Sequence, residues 1–312
     1  MAKQVYLLQP AIFIPANNGF TFRYQYPMPL TQLHRQKFTT WWIAIFYLLA
    51  IVKFVQGLWL YQFHPFMFTT RFDGITWLFM QTGIHLLVLN NNWLAIVLDI
   101  LFYGFPALYF IAFLKKPGKG QAIAWAWLLV NWLYVQCYTL FPTNSIEAHI
   151  PWLLFPLLFA SQSLRSFFFI MHGLRYFFLY FFFSAGVWKL VNGGAFEPTQ
   201  MGAILMDQHK EFLITAPGNW QATFIYQLIA MPLAAFLLYW LSIITELFFG
   251  VGFFSRRFDR VLVFLFLLFL VFDYLIMRIP YIEVVPFLLT FLFSKYGVPV
   301  EAGKHPEKKD GS

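Results

Sequence analysis

The chain has 312 residues, of which 60% are apolar, 22% aromatic and 11% charged. Soluble domains carry roughly 25% charged residues, so this composition excludes a water-soluble globule and points to a membrane protein. The net charge of +8 does not call for nucleic acid, because Lys and Arg concentrate in loops between apolar segments, where they orient helices and meet anionic headgroups.

A transmembrane β-barrel needs alternating apolar and polar residues, whereas runs such as 177–183 and 261–272 are apolar on every side. The expected fold is therefore all-α, a polytopic transmembrane helical bundle of about eight spans plus one or two interfacial helices. Cys137 is the single cysteine and lies in an apolar run, which leaves no internal disulfide and no Cys/His metal set. The opening residues carry little positive charge and are broken by Pro10 and Pro15, a poor signal peptide. Residues 1–37 read as a cytoplasmic arm, 38–294 as the transmembrane domain and 295–312 as a basic, disordered cytoplasmic tail.

Taken in order, the expected spans are 41–63, 93–114, 123–141, 150–164, 167–190, 224–249, 261–279 and 281–293. The apolar stretch 75–89 has 15 residues and is followed by Asn90, Asn91 and Asn92, which fits an interfacial or re-entrant helix. With that stretch lying flat, the clusters Lys3, Arg23, Arg35 and Lys37, Lys115, Lys116 and Lys119, Arg165, Arg256, Arg257 and Arg260, and the tail from Lys295 share one face. The positive-inside rule makes that face cytoplasmic, with both termini on it. The opposite face receives the loop 143–149, the segment 191–221 and the turn at Pro280.

Charges at membrane depth are costly, so each one needs a partner or a cavity and ranks as a candidate. Lys53, Asp99, Arg175, Glu246 and Asp273 lie within spans, and His149, Lys189, Arg278 and Glu283 at span ends. Depth along each helix predicts that Lys53 pairs with Asp99, that Glu246 pairs with Arg256, Arg257 and Arg260 at the headgroups, and that Arg175 snorkels inward. His172 beside it reads as a packed, hydrogen-bonded core histidine. Asp99, His149, Lys189, Asp273, Arg278 and Glu283 converge on one outer level. A lysine withdrawn from water can serve as a base, with a histidine nearby to orient or share the proton, so Lys189, His149 and Asp273 form the candidate catalytic set.

The run FLYFFFSAGVWKL, ending in Lys189 and Leu190, resembles the segment of the vitamin K-dependent γ-carboxylase family that carries its catalytic lysine. That membrane domain is shared with bacterial horizontally transferred transmembrane (HTTM) proteins. His149 followed by IPWLLFPLLFASQS, then ELFFGVGFFSRRFDR and FDYLIMRIPYIEVVPFLLTFLFS, resemble further family segments in the same order, over roughly residues 70–294. The resemblance implies that Lys189 is a base toward a reduced quinone or lipid substrate and His149 a functional histidine. Asp273 stands where the family has a histidine, and VNGGAFEPTQMG replaces the tryptophan and glycine expected after the lysine. The sequence ends at Ser312 without the family's large luminal portion, so full protein γ-carboxylation is not expected of this chain.

Two function classes follow. One is a quinol-dependent or lipid-acting membrane enzyme using Lys189. The other is a non-catalytic subunit or scaffold that binds membrane lipids and docks a protein through 191–221, where MGAILMDQHKEFLI has apolar positions Met201, Ile204, Leu205 and Leu213 suited to an amphipathic surface helix. A transporter is poorer, because inverted repeats and paired broken helices are missing from the pattern.

Overall fold

The structure, a computed structural model, describes residues 28–63, 74–115, 120–141, 146–278 and 282–299, with the side chains of 146–151 excepted. Lys3, Arg23, Lys116, Lys119, Thr143, Pro280 and the tail beyond 299 lie outside the described residues. Among the described residues the elements are α-helices and short 3-10 turns, with one isolated bridge between Pro29 and Gly297.

In chain order the helices are α1 (Gln32–Val55), α2 (Gly74–Gln81), α3 (Ile84–Leu89), α4 (Asn92–Lys115), α5 (Gly120–Tyr138), α6 (Ile146–Phe159), α7 (Leu164–Val191), α8 (Gln200–Thr215), α9 (Trp220–Ala230), α10 (Pro232–Phe248), α11 (Val251–Phe254), α12 (Asp259–Met277) and α13 (Leu288–Phe293). Five segments are long and apolar enough to cross a membrane: Gln32–Gln62, Asn92–Lys115, Leu164–Val191, Pro232–Phe254 and Arg256–Met277. The remaining three expected spans form α5, the 14-residue α6, and a 3-10 turn (Ile282–Phe287) leading into the six-residue α13. The stretch 75–89 breaks at Gly83, whose φ of 70° suits a residue without Cβ, into two helices too short to cross.

Local chemistry sets the ends. Thr31 caps α1 by accepting from the His34 amide, Ser163 caps α7 by accepting from Ser166, and Asn219 caps α9 by accepting from Gln221. Pro232 opens α10, because its missing N–H costs nothing in a first turn. The span expected at 224–249 is thereby corrected. Residues 220–230 form the separate α9, and the crossing segment starts at Pro232 and runs on to Phe254.

The core is aromatic. Trp42 meets Trp127 at 5.2 Å edge-on and Phe46 at 5.1 Å stacked, while Phe178 and Phe182 pack on Phe249 and Phe266. Each such pair adds about 0.5–1.5 kcal/mol beyond its buried area. A second, smaller core joins α8, α9 and α10 to the end of α12 through Leu205, Ala222, Ile225, Ile243 and Ile276. Met201, Leu205 and Leu213, read from sequence with Ile204 as a surface-helix face, are packed into it with Ile204 half-buried against them, and Met206 and Ile214 are the exposed large apolar residues of α8.

One end of the bundle gathers basic groups. The Arg35 guanidinium donates to the Ser161 carbonyl at 2.9 Å and lies over Phe113 and Phe167. Arg256 donates to the Ser294 carbonyl at 3.0 Å, and His34 stacks on Tyr296 within the fields of Lys37 and Lys295. Residues 295–299, counted with the tail from sequence, are held here by backbone bonds from Leu30 to Gly297 and from Gly297 to Met28.

Candidate functional site

Arg35 is buried on a backbone carbonyl, and three further cations along the bundle have each found an acid. The first is Lys53, in the last turn of α1. Its Nζ lies 2.5 Å from Glu283 Oε1, donates to the Tyr138 hydroxyl at 3.1 Å, and sits over the rings of Tyr138 and Trp152 at 4.6 and 4.7 Å. The expected Lys53–Asp99 pairing is therefore corrected. Asp99 accepts the backbone N–H groups of Leu60 and Tyr61 and the Tyr134 hydroxyl, at 3.1, 3.0 and 2.9 Å. Its carboxylate is used up in fixing the turn after α1, and the acid left for Lys53 comes from the 3-10 turn before α13.

The second cation is Arg175, halfway along α7. It does not snorkel. Its Nε and Nη2 grip Asp259 at 2.9 and 2.5 Å, and Nη2 also donates to the Gly252 carbonyl at 2.9 Å. Ser294 Oγ donates to the same carboxylate at 2.5 Å, which ties α7, α12 and the end of α13 together. His172, one turn earlier, is buried against Phe168 at 4.4 Å. Neither of its ring nitrogens has a hydrogen-bond partner among the described residues, so it is packed as expected but not hydrogen-bonded.

The third is Lys189, in the last turn of α7. Helices α7 and α10 run antiparallel in close contact: a Cβ on Gly186 would lie 3.1 Å from the Glu246 side chain, one on Gly250 2.8 Å from Phe183, and one on Gly252 2.5 Å from Leu179. Small residues at such a seam let two helices approach each other in an apolar medium. One turn beyond Gly186, Lys189 Nζ donates to Glu246 Oε1 at 2.7 Å and to Ser242 Oγ at 2.9 Å, with the Tyr239 ring 5.5 Å away. The expected pairing of Glu246 with Arg256, Arg257 and Arg260 is thereby corrected. With the crossing segment running to Phe254, Glu246 sits about 12 Å inside its end at about 1.5 Å per residue, level with Lys189 instead of with the basic loop.

Of the other sequence candidates, Asp273 on α12 is half-buried and lies within the fields of both Lys189 and Glu246. His149 falls in the first turn of α6, and its side chain lies outside the described residues. Arg278 caps α12 and lays its guanidinium on Phe212 at 3.9 Å. The outer level expected from sequence thus splits in two. Asp99 and Glu283 gather around Lys53 and the tyrosines, while Asp273 and Glu246 gather around Lys189.

The three pairs differ in enclosure. The Lys53 and Arg175 side chains are 1% and 0% exposed, whereas Lys189 is 26% exposed over a glutamate that is 5% exposed. Glu246 Oε2 and Asp273 Oδ2 are buried without a hydrogen-bond partner among the described residues. The site therefore holds one reachable ammonium, two carboxylates with acceptor capacity left over, and a tyrosine. That set can bind or relay a proton at the surface of an apolar bundle. Among the described residues no group of three or more His, Cys, Asp or Glu side chains is placed to hold a metal ion.

Sequence reading missed Ser242, Tyr239 and Asp259. The first two had a signal, because Tyr239, Ser242 and Glu246 recur at helical spacing as a polar stripe on an otherwise apolar helix. No protein-family model, curated protein or solved structure matches the chain.

Proposed function

We propose that this integral membrane protein handles a proton for a membrane-soluble substrate of quinol-like or lipid character at Lys189, with Glu246 and Asp273 as its acidic neighbours. The observation that carries the reading is the exposure of Lys189: a lysine needed only to hold helices together can be sealed, as Lys53 is, yet Lys189 reaches the surface beside two carboxylate oxygens that have no hydrogen bond among the described residues. The resemblance of the segment around Lys189 to the carboxylase-like lysine segment points to the same residue. We further propose that the basic end of the bundle, with Arg35, Lys37, Arg256 and Lys295, faces the cytoplasm, in keeping with the positive-inside rule.

The second reading is a non-catalytic scaffold or complex subunit, and one observation favours it. Lys189 is bonded to Glu246 at 2.7 Å, so it joins α7 to α10 as Lys53 and Arg175 join their own helices. Under this reading Lys189 and Glu246 act as a clasp between α7 and α10.

The test is to purify the protein in lipid nanodiscs formed from its own host membrane and to compare extracted lipids and quinones by mass spectrometry for the wild type, Lys189→Met and Lys189→Arg. The proton-handling reading expects an isoprenoid quinone or a distinct lipid enriched with the wild type and depleted in Lys189→Met. Identical extracts from all three folded proteins would leave the scaffold reading in place.

A further inference from the structure

At the end of the second core, α8 lies across the last turn of α12 and leaves a groove of about 410 Å³. The two helices are fixed there by a 2.7 Å hydrogen bond between His209 Nε2 and the Ile276 carbonyl. The groove is lined by Gln208, Glu211, Phe212, Thr215, Met277 and Arg278. Two of these carry opposite full charges, and neither Arg278 nor Glu211 has an ion-pair partner among the described residues, although both face the same space. The neighbouring charges of α8 behave otherwise, because Asp207 and Lys210 pair with each other at 3.1 Å.

Arg278 is also held in place. It is the single described non-glycine residue with positive φ, at 55°, a conformation disfavoured for a side chain with a Cβ. Its guanidinium carbon lies over the Phe212 ring, 3.9 Å from the centroid, a cation–π contact that holds the group at the groove wall. A planar guanidinium with no ion-pair partner among the described residues matches the two oxygens of a phosphate, and a carboxylate likewise without one in the same groove matches an ammonium. The groove volume falls in the range of small-ligand sites, about 300–1,000 Å³.

We infer that the α8–α12 groove binds the zwitterionic headgroup of a phosphoethanolamine-type membrane lipid, with its phosphate on Arg278, its ammonium on Glu211 and the start of its acyl region against Phe212 and Met277. Phosphatidylcholine carries the same charges but its quaternary ammonium has no N–H to donate to Glu211, and phosphatidylglycerol lacks the cation altogether. The site is independent of Lys189 and does not rest on the proton-handling reading.

The experiment is native mass spectrometry of the full chain released from nanodiscs containing equal parts of phosphatidylethanolamine, phosphatidylcholine and phosphatidylglycerol. Phosphatidylethanolamine adducts are expected to dominate by roughly tenfold, the scale of one charge-assisted hydrogen bond. Arg278→Gly suits the positive φ and should fold normally while losing the adducts; Glu211→Gln should keep lipid binding but lose the preference over phosphatidylglycerol. Soluble phosphoethanolamine is added as a competitor. Displacement shows that the headgroup suffices, and lipid-only binding shows that the acyl contacts are needed; both support the site so long as both variants respond. Equal adducts for the three lipids, or an unchanged pattern in Arg278→Gly, would overturn it.

Discussion

Lys53 and Lys189 each sit in the last turn of a long apolar helix and each meets a glutamate at under 3 Å, yet their surroundings differ in kind. Lys53 is sealed by a tyrosine hydroxyl and two aromatic rings at 1% exposure, while Lys189 lies at 26% exposure in a glycine-lined seam. Burial of an ion pair is weak evidence of stabilisation, because desolvation offsets most of the attraction, but breaking one costs a great deal once it is enclosed. The difference teaches that a lysine within a membrane domain is judged by the completeness of its shell and not by the presence of an acid partner.

The largest effect should come from the sealed site. Lys53→Met leaves Glu283 without the cation now 2.5 Å away, and enclosed pairs broken on one side lose about 3–5 kcal/mol. Denaturant unfolding in detergent should register a loss of that size, and the double variant with Glu283→Gln should recover most of it. A loss below about 1 kcal/mol, the range of an exposed pair, would erase the contrast between the two lysines.

Next comes the seam that positions Lys189. A Cβ at Gly252 would lie 2.5 Å from Leu179 and 2.9 Å from Leu262, both side-chain atoms of packed neighbours. Gly252→Ala should therefore destabilise by about 1–3 kcal/mol through overpacking. Thermal unfolding indistinguishable from the wild type would mean that α7 and α11 are not in contact as described.

Lys189→Met should cost less than either, no more than about 2 kcal/mol, because the lost hydrogen bonds to a charged group are partly screened by solvent. The variant should stay folded and inserted, which is what makes it usable for a functional test. Aggregation or failure to insert would shift Lys189 into the structural class beside Lys53.

The smallest effect is a pH dependence at the end of α12. Burial lowers the His209 pKa from its ordinary value of 6.5, and Arg278 nearby acts in the same direction. The unfolded or detached form then binds a proton more readily than the packed one, so the packing of α8 on α12 is intact above about pH 6.5 and weakens as pH falls below it. Protection factors of the α8 amides, with the intrinsic pH dependence of exchange divided out, should fall as pH drops below about 6.5, and His209→Gln should flatten the profile. Protection factors that rise on acidification would contradict the sign.

Hydropathy alone made the all-α membrane class legible, because runs such as 177–183 admit no other solution in lipid. The list of intramembrane charges was legible for the same reason. Their partners were not. A depth scale laid from an assumed span start misassigned Glu246, since Pro232 begins α10 eight residues later than the apolar pattern does. Asp99 was nearest to Lys53 in depth, but sequence could not reveal that its oxygens accept the Leu60 and Tyr61 amides. The glycines at 186, 250 and 252 stood in plain view, yet their role depends on which helices meet, and that is a property of the packed bundle.

The central claim, that Lys189 is the working lysine and Lys53 a sealed structural one, is tested most directly by lysine reactivity in the folded protein. Native protein in nanodiscs is treated with a membrane-permeant amine-reactive reagent, and modification is read residue by residue by mass spectrometry, with the unfolded chain as the reference. The account predicts modification of Lys189 and protection of Lys53, with Glu246→Gln speeding the reaction at Lys189 alone. Equal protection of both lysines, or modification of Lys53 ahead of Lys189, would contradict it.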